Sequence, residues 1–311
     1  GKKYDCLIGV SGGVDSTYTA YYVKKLGLRP LAVHFDNGWN SELAVHNIQK
    51  VLETLDIDLY TYVVNWNEFK ELQFSFLRSS TPDGEIPTDH AIFSILYKVA
   101  SKHKIRYILN GNNFKTEGVM PRLWAYGHID WKYIKGIHRK FGSKALKTYP
   151  HFSILTFLKH TFINKIKSIS ILNYLDFDKD EVKKVLIRDL KWQDYGGKHY
   201  ESSYTKFYQG ILLPRKFRID KRKIHLSALI LCGQITREEA LEELKVPIYP
   251  VDRVSDDTEY VAKKFGISVE ELEGIIAAQT KNFLDYPNNN RIHSKLKVLL
   301  SYLRRKKVFY S

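Results

Sequence analysis

The stretch Ser11-Gly12-Gly13-Val14-Asp15-Ser16 decides how this chain is read, because it follows a strand-like run, Tyr4 to Val10, and opens a segment with helical spacing. Two adjacent glycines permit a tight turn and a close approach of backbone to a ligand. Amides exposed at the start of a helix attract an oxyanion, and Ser11 and Ser16 add hydroxyl donors. The six residues therefore read as a cradle for pyrophosphate. No Lys follows the glycines as in a Walker loop, and the third glycine of the dinucleotide fingerprint is lacking.

Outward from that loop, short apolar runs alternate with helix-period segments. Strands are expected at Tyr4 to Val10, Pro30 to Phe35, Leu59 to Val64 and Arg106 to Asn110. Between them Ala44, Val45, Ile48, Val51, Leu52 and Leu55 recur at helical spacing after a Ser41 N-cap, and Ile92, Ile95, Leu96, Val99 and Ala100 do so after Thr88. Gly27 is placed to end the first helix. A fifth strand is expected within Ile169 to Phe177, before a helix opened by Asp178 and Glu181 as a capping box. This order predicts an α/β fold, a doubly wound, mostly parallel five-stranded sheet over residues 1–195, with a basic insertion at about 118–168. A helical region is expected over residues 196–311, with capping boxes at Thr236 to Glu239 and Ser268 to Glu271.

Composition bounds the partners. The chain has 311 residues, 44% hydrophobic and 27% charged, with 21 Tyr and 16 Phe, which excludes a disordered polymer. Two cysteines, Cys6 and Cys232, exclude a disulfide scaffold and fit a reducing, cytoplasmic setting. Gly1-Lys2-Lys3-Tyr4-Asp5 leads directly into the first strand with no apolar leader run, and no stretch reaches the roughly 20 apolar residues of a spanning helix. The net charge of +15 points to an anionic partner. Nine Lys or Arg and no Asp or Glu fall between Trp131 and Leu175. That stretch is either a solvated basic face or, given Phe152, Phe157 and Phe162 among Lys159, Lys165 and Lys167, a surface for an anionic membrane, a nucleotide or RNA. Glu259 to Ile276 has a helix-turn-helix outline, but seven acidic residues against three basic ones between Asp252 and Ala278 make nucleic acid an unlikely partner there.

The loop resembles that of the PP-loop ATP pyrophosphatases, whose signature is SGGxDS after the first strand. The resemblance implies ATP and magnesium as cofactors, with Ser11, Gly12, Gly13, Val14, Asp15 and Ser16 around the phosphates. It also implies contacts at the ends of the second and fourth strands: Val33, Phe35 and Asp36, and Gly111 and Asn112. Asp15 and Glu117 are candidate magnesium carboxylates.

Longer strings are similar to the N-acetyl sugar amidotransferases of lipopolysaccharide O-antigen synthesis. These are Thr88-Asp89-His90-Ala91, Thr116-Glu117-Gly118, Lys198-His199-Tyr200-Glu201-Ser202, the run from Leu213 to Ser227, and Gly233 to Ala240. That resemblance implies a nucleotide-linked N-acetyl sugar whose acetamido oxygen attacks the α-phosphorus of ATP. Pyrophosphate leaves, ammonia attacks the activated carbon, and AMP departs. Asp89, His90, Glu117 and Glu201 are candidate substrate contacts. Six Lys or Arg fall between Arg215 and Lys223, of which Lys216 and Arg222 are the candidates for transition-state charge. Ammonia is expected from separate glutaminase and cyclase-like subunits. The alternatives are a tRNA-modifying PP-loop enzyme of lysidine synthase or thiolase type, and a non-catalytic adenine-nucleotide-binding protein.

Overall fold

In the computed structural model, which describes residues 3–121, 123–196, 200–292 and 295, period-two alternation along the strands sets two opposite apolar faces. The strands are β1 (Cys6–Gly9), β2 (Pro30–Asp36), β3 (Asp58–Val63), β4 (Tyr107–Asn110) and β5 (Lys167–Ser170). Leu7, Leu31, Val33, Phe35 and Ile108 belong to one core, and Cys6, Ile8, Val10, Ala32 and Leu109 to the other. All pairings are parallel, in the order β3-β2-β1-β4-β5. A parallel sheet needs both faces covered. Here α1 (Val14–Lys25), α2 (Glu42–Leu55) and, further along the chain, Lys179–Leu190 cover one face, while α3 (Trp66–Ser79) and α4 (Ile86–Lys102) cover the other.

Local signals explain most boundaries. Ser41 caps α2, its side chain accepting from the Ala44 N–H. α1 stops at Lys25, and Gly27 takes φ +76°. Asp178 accepts from the Asp180 and Glu181 amides. Thr236 and Glu239 form a complete capping box, whereas Ser268 caps its helix without a reciprocal bond. Two expectations shift. α4 begins at Ile86, so Thr88 lies inside its first turn, and β5 starts two residues earlier than expected and gives way at Ile171 to a 3-10 turn.

The insertion is built into the core. After α5 (Phe114–Glu117), α6 (Trp131–Phe141) buries Tyr133, Ile134 and Ile137 against α3. Asp130 caps α6 through the Lys132 and Tyr133 amides and also accepts from the Asn289 side chain at 2.9 Å, joining the insertion to the C-terminal region. α7 (Ile154–Leu158) continues into a π-helical turn, Lys159–Ile163. The C-terminal helices are α8 (Lys179–Leu190), α9 (Ser203–Phe207), α10 (Arg222–Leu231), α11 (Arg237–Glu243), α12 (Val254–Phe265) and α13 (Val269–Ala277), with a π-helical segment at Tyr208–Phe217. Tyr204, Phe207, Leu213, Val261 and Phe265 share one apolar core with Leu7 and Phe69 of the sheet layer.

His90 illustrates the cost of that packing. It is fully buried, stacked 4.7 Å from Phe152, with Nδ1 donating to the His128 carbonyl at 2.5 Å and Nε2 accepting from the Phe152 N–H at 3.3 Å. A proton on Nε2 would confront that N–H, and burial holds the imidazole down at about 4. A depressed histidine is stabilising when neutral, so its contribution is complete above about pH 6.5 and is lost as pH falls toward 4. The unfolding free energy of wild type minus that of His90→Gln should shrink by about 3 kcal/mol between pH 7 and pH 4, other groups titrating alike in both proteins. Urea unfolding of the pair at both pH values checks this, and a pH-independent difference would contradict it.

Candidate active site

The strand order reverses between β1 and β4, and the crevice beyond their carboxyl ends is where such a sheet takes a ligand. The loop from Ser11 to Gly13 stands there, with Gly13 as the N-cap of α1. Ser11 Oγ and Ser16 Oγ lie 3.1 Å apart, the Ser11 N–H donates to Ser16 Oγ at 3.2 Å, and Ser16 Oγ donates to the Gly13 carbonyl at 3.2 Å. These bonds hold both hydroxyls beside the first turn of a twelve-residue helix. Asp15, half-buried, lies in that turn.

Two glycines are required rather than convenient. Gly12 takes φ +82°, and a Cβ there would sit 2.8 Å from the Tyr195 hydroxyl and 2.9 Å from the Ala44 carbonyl. Gly111, just past β4, would place a Cβ 2.9 Å from the Asp15 carbonyl, so the β4 turn packs directly on the loop helix. Trp192 Nε1 and the Tyr195 hydroxyl both donate to the Gly12 carbonyl, at 2.8 and 3.0 Å. Sequence reasoning passed over both residues; a Trp and a Tyr three positions apart carry no signal for a partner 180 residues away.

Past the end of β1, β2 continues alone with β3. The last contact with β1 is the Val10 N–H on the Val33 carbonyl, while the Asp36 carbonyl accepts from Val64 on the β3 side. Alternation along β2 therefore turns the Phe35 N–H and C=O toward the crevice, although the Val33 and Phe35 side chains are buried. Asp36 accepts from the Gly38 N–H at 2.9 Å. Asn112 is exposed at the β4 turn, its N–H held by Asn110 Oδ1.

On the far wall, carboxylates gather about one cation. Asp83 is pushed up to about 6 by burial, with Lys221 opposing and Glu85 adding to the shift. Asp89, in the first turn of α4, is raised well above the ordinary carboxylate range by desolvation and by Glu85 and Asp83, again with Lys221 opposing; Glu117 adds a smaller repulsion. The Asp89 side chain is nonetheless accessible to water, which describes a residue on the floor of a concave cleft. Glu85 accepts from Thr205 Oγ1 at 2.6 Å and Gln209 Nε2 at 2.9 Å, with Lys221 Nζ at 3.9 Å. The turn from Gly111 to Glu117 thus touches the loop at one end and the Asp89 cleft at the other.

Several residues singled out in the sequence stand elsewhere. His90 is a core residue with both ring nitrogens engaged, not a substrate contact. Lys216 closes the end of α13, donating to the carbonyls of Ile275 at 2.5 Å and Ala278 at 2.8 Å. Arg222 is bound to Asp220 at 2.8 Å and to the Val246 carbonyl at 2.8 Å. Of the basic run, Lys221 is the cation aimed at the cleft. Glu201 lies beside the loop: a Cβ on Gly13 would meet its Oε1 at 3.2 Å, and its carbonyl accepts from the Ser41 N–H. Lys198 and His199 lie outside the described residues. Cys6 is buried, its thiol pushed up to about 12 by desolvation, whereas Cys232 is half-buried at the end of α10 rather than enclosed.

Magnesium is held characteristically by one or two carboxylates together with substrate phosphates. Among the described residues no group of three or more His, Cys, Asp or Glu is placed to hold a metal unaided. Asp15 in the helix turn and Glu201 beside Gly13 fit the former arrangement. A carboxylate next to a phosphate cradle calls for a neutralising cation.

Residues 201–299 match the family described as "LPS biosynthesis protein WbpG-like, C-terminal domain". The chain is 22% identical over 197 residues to the tRNA-specific 2-thiouridylase MnmA 2 of Fusobacterium nucleatum, covering 60% of this chain and 52% of that protein. It is 29% identical over 129 residues to the tRNA-specific 2-thiouridylase MnmA of Clostridioides difficile, covering 36% and 35%. It therefore spans about half the length, or less, of these curated relatives. The structure of NMN synthetase from Francisella tularensis aligns over 86% of this chain and 88% of that one, at 15% identity and a TM-score of 0.38. The SGGVDS loop after the first strand of a parallel β3-β2-β1-β4-β5 sheet has the arrangement of the PP-loop ATP pyrophosphatases, and residues 201–299 are similar to the WbpG-like C-terminal domain.

Proposed function

We propose that the protein is an ATP-dependent amidotransferase of lipopolysaccharide synthesis, which adenylates the acetamido oxygen of a nucleotide-linked N-acetyl sugar and lets ammonia displace AMP. The observation that supports this reading best is the composite crevice, in which a PP-loop on one wall faces carboxylates and Lys221, the latter contributed by the WbpG-like region. Carboxylates accept hydrogen bonds from sugar hydroxyls and amides, and they concentrate ammonium. Lys221 is placed to offset charge that builds as pyrophosphate and AMP leave. The loop amides and the Ser11 and Ser16 hydroxyls orient the phosphates, and the Phe35 backbone offers a donor and an acceptor to the base. Bound magnesium would screen the phosphates from Asp15 and Glu201. Burial makes Cys6 unfit as a glutaminase nucleophile, and in this reading ammonia comes from partner subunits.

The curated relatives favour a second reading, tRNA thiolation. It requires a reactive thiol, and of the two cysteines only Cys232 has partial access to solvent. Retention of activity in Cys232→Ala, with no sulfur transfer to tRNA, separates the two readings.

The decisive measurement is mass spectrometry of UDP-linked N-acetyl sugars incubated with the protein, ATP, magnesium and ammonium. Product gaining an amidine nitrogen, with AMP and pyrophosphate formed in step, is expected; ADP and phosphate with every acceptor would refute it. Asp15→Asn should abolish most turnover with the fold intact. Lys221→Met should lower kcat about a hundredfold or more at nearly unchanged stability, while Lys216→Met should do the reverse, costing about 1–3 kcal/mol of stability through exposed helix-end carbonyls. Trp192→Phe, which withdraws one donor from the Gly12 carbonyl, should raise the KM for ATP about tenfold. Steady-state kinetics and thermal melts of the four variants distinguish these outcomes.

A further inference from the structure

α6 buries Tyr133, Ile134 and Ile137 and turns Lys132, Lys135 and Arg139 outward at i, i+3 and i+7, a single exposed flank. A groove of about 690 Å³ runs along that flank, closed on the other side by Ser153, Ile154 and Leu155 at the start of α7 and at its end by Tyr286 and Pro287. Asp285 also lines it, with a carboxylate oxygen occupied by the Asn282 N–H.

The far side of the same surface is apolar. α7 and the π-helical turn after it expose Leu155, Phe162 and Ile163, at 78%, 49% and 72%, with Lys159 and Lys165 exposed among them. A solvated basic face would carry polar residues at those positions. Phosphate recognition alone would explain the lysines and leave the aliphatic side chains in water. A nucleic-acid surface uses flat rings on which bases stack, and the two most exposed side chains here, Leu155 and Ile163, are aliphatic. A short amphipathic helix with cations around an exposed apolar ridge matches the boundary between headgroups and acyl chains.

We propose that this surface docks on an anionic lipid bilayer, with Lys132, Lys135 and Arg139 at phosphate headgroups and Leu155, Phe162 and Ile163 entering the acyl boundary. Leu155 belongs to both the groove and the ridge, so one approach engages the two together. The bilayer contributes both the negative charge and the apolar medium that the surface lacks a partner for within the chain's own acid-free stretch. Contact is reversible, because three inserted side chains and a handful of cations fall far short of a spanning helix.

The test is co-flotation of the full chain with vesicles of phosphatidylcholine alone and with about one third phosphatidylglycerol, at about 20 mM and about 500 mM salt. Binding is expected on the anionic vesicles at low salt, with loss at high salt and none on the neutral ones. Lys132→Glu with Lys135→Glu and Arg139→Glu should weaken it by about fivefold or more per cation. Leu155→Ser with Ile163→Ser should reduce flotation while leaving retention on a heparin column unchanged, since heparin supplies charge without an apolar phase. All five positions are exposed, so circular dichroism and melting should match wild type. Absence of flotation at low salt, equal flotation of the serine variant, or stronger binding to tRNA with the same dependence on the three cations would overturn the proposal.

Discussion

The carbonyl of Gly12 is the point on which the crevice turns. A left-handed glycine cannot be replaced there, and its oxygen is taken by two donors, the Trp192 indole and the Tyr195 hydroxyl. Trp192 is itself fixed in an apolar cluster with Phe177, Leu186 and Leu190, and Gln193 next to it exchanges two hydrogen bonds with Asn47 of α2. A buried acceptor left without donors costs more than an ordinary hydrogen bond supplies. The loop conformation therefore depends on α8 and the segment after it being in place, and a phosphate cradle encoded in six residues is completed by contacts about 180 residues later. Two further backbone hydrogen bonds tie the next segment to the start of α2: the Ser41 N–H donates to the Glu201 carbonyl, and the Trp39 carbonyl accepts from the Ser203 N–H.

Charge is distributed by function rather than by count. Between Arg215 and Lys223 half of the six cations close the structure: Arg215 pairs with Glu273, Lys216 ends α13, and Arg222 pairs with Asp220. Lys221 alone of these faces Glu85, Asp83 and Asp89. Burial in that cleft holds protons on the Asp83 and Asp89 carboxyls more readily than water would allow, which suits it to hydroxyl and amide partners rather than to a second phosphate.

β1, β2 and β4 were legible because buried parallel strands read as continuous apolar runs, and β3, though an exposed edge strand, because Leu59 to Val63 is rich in β-branched and aromatic residues; the loop was legible because glycine pairs and hydroxyls have few other uses after a strand. The fifth strand was harder: it is an edge strand whose first residues, Lys167 and Ser168, are exposed, so no apolar run marks its start. His90 misled because a polar residue beside Asp89 in a helix's first turn reads as accessible, and nothing local reveals that Trp131, Tyr149 and Phe152 close over it. The basic run misled for a different reason. Tyr208–Phe217 is π-helical with Pro214 inside it and ends at a left-handed Arg218, so the phase of a regular helix does not carry across it. Spacing alone does not say which of these side chains turn inward; in the fold, the register after Arg218 brings Lys221 toward Glu85 at the start of α4.

α4 joins the two charged regions into one frame. Its first turn carries Asp89 into the crevice, and its last turns meet the basic insertion, with Tyr97 against Phe157 and His160 and Ser101 accepting from Asn164. Between these ends the helix is buried through Ile95, Leu96 and Val99. A buried helix moves as a unit, because its packed faces do not slide without opening voids. The orientation of the cleft relative to the exposed ridge of Leu155, Phe162 and Ile163 is therefore fixed by the fold. Anything that settles on the ridge also sets the direction in which the crevice opens.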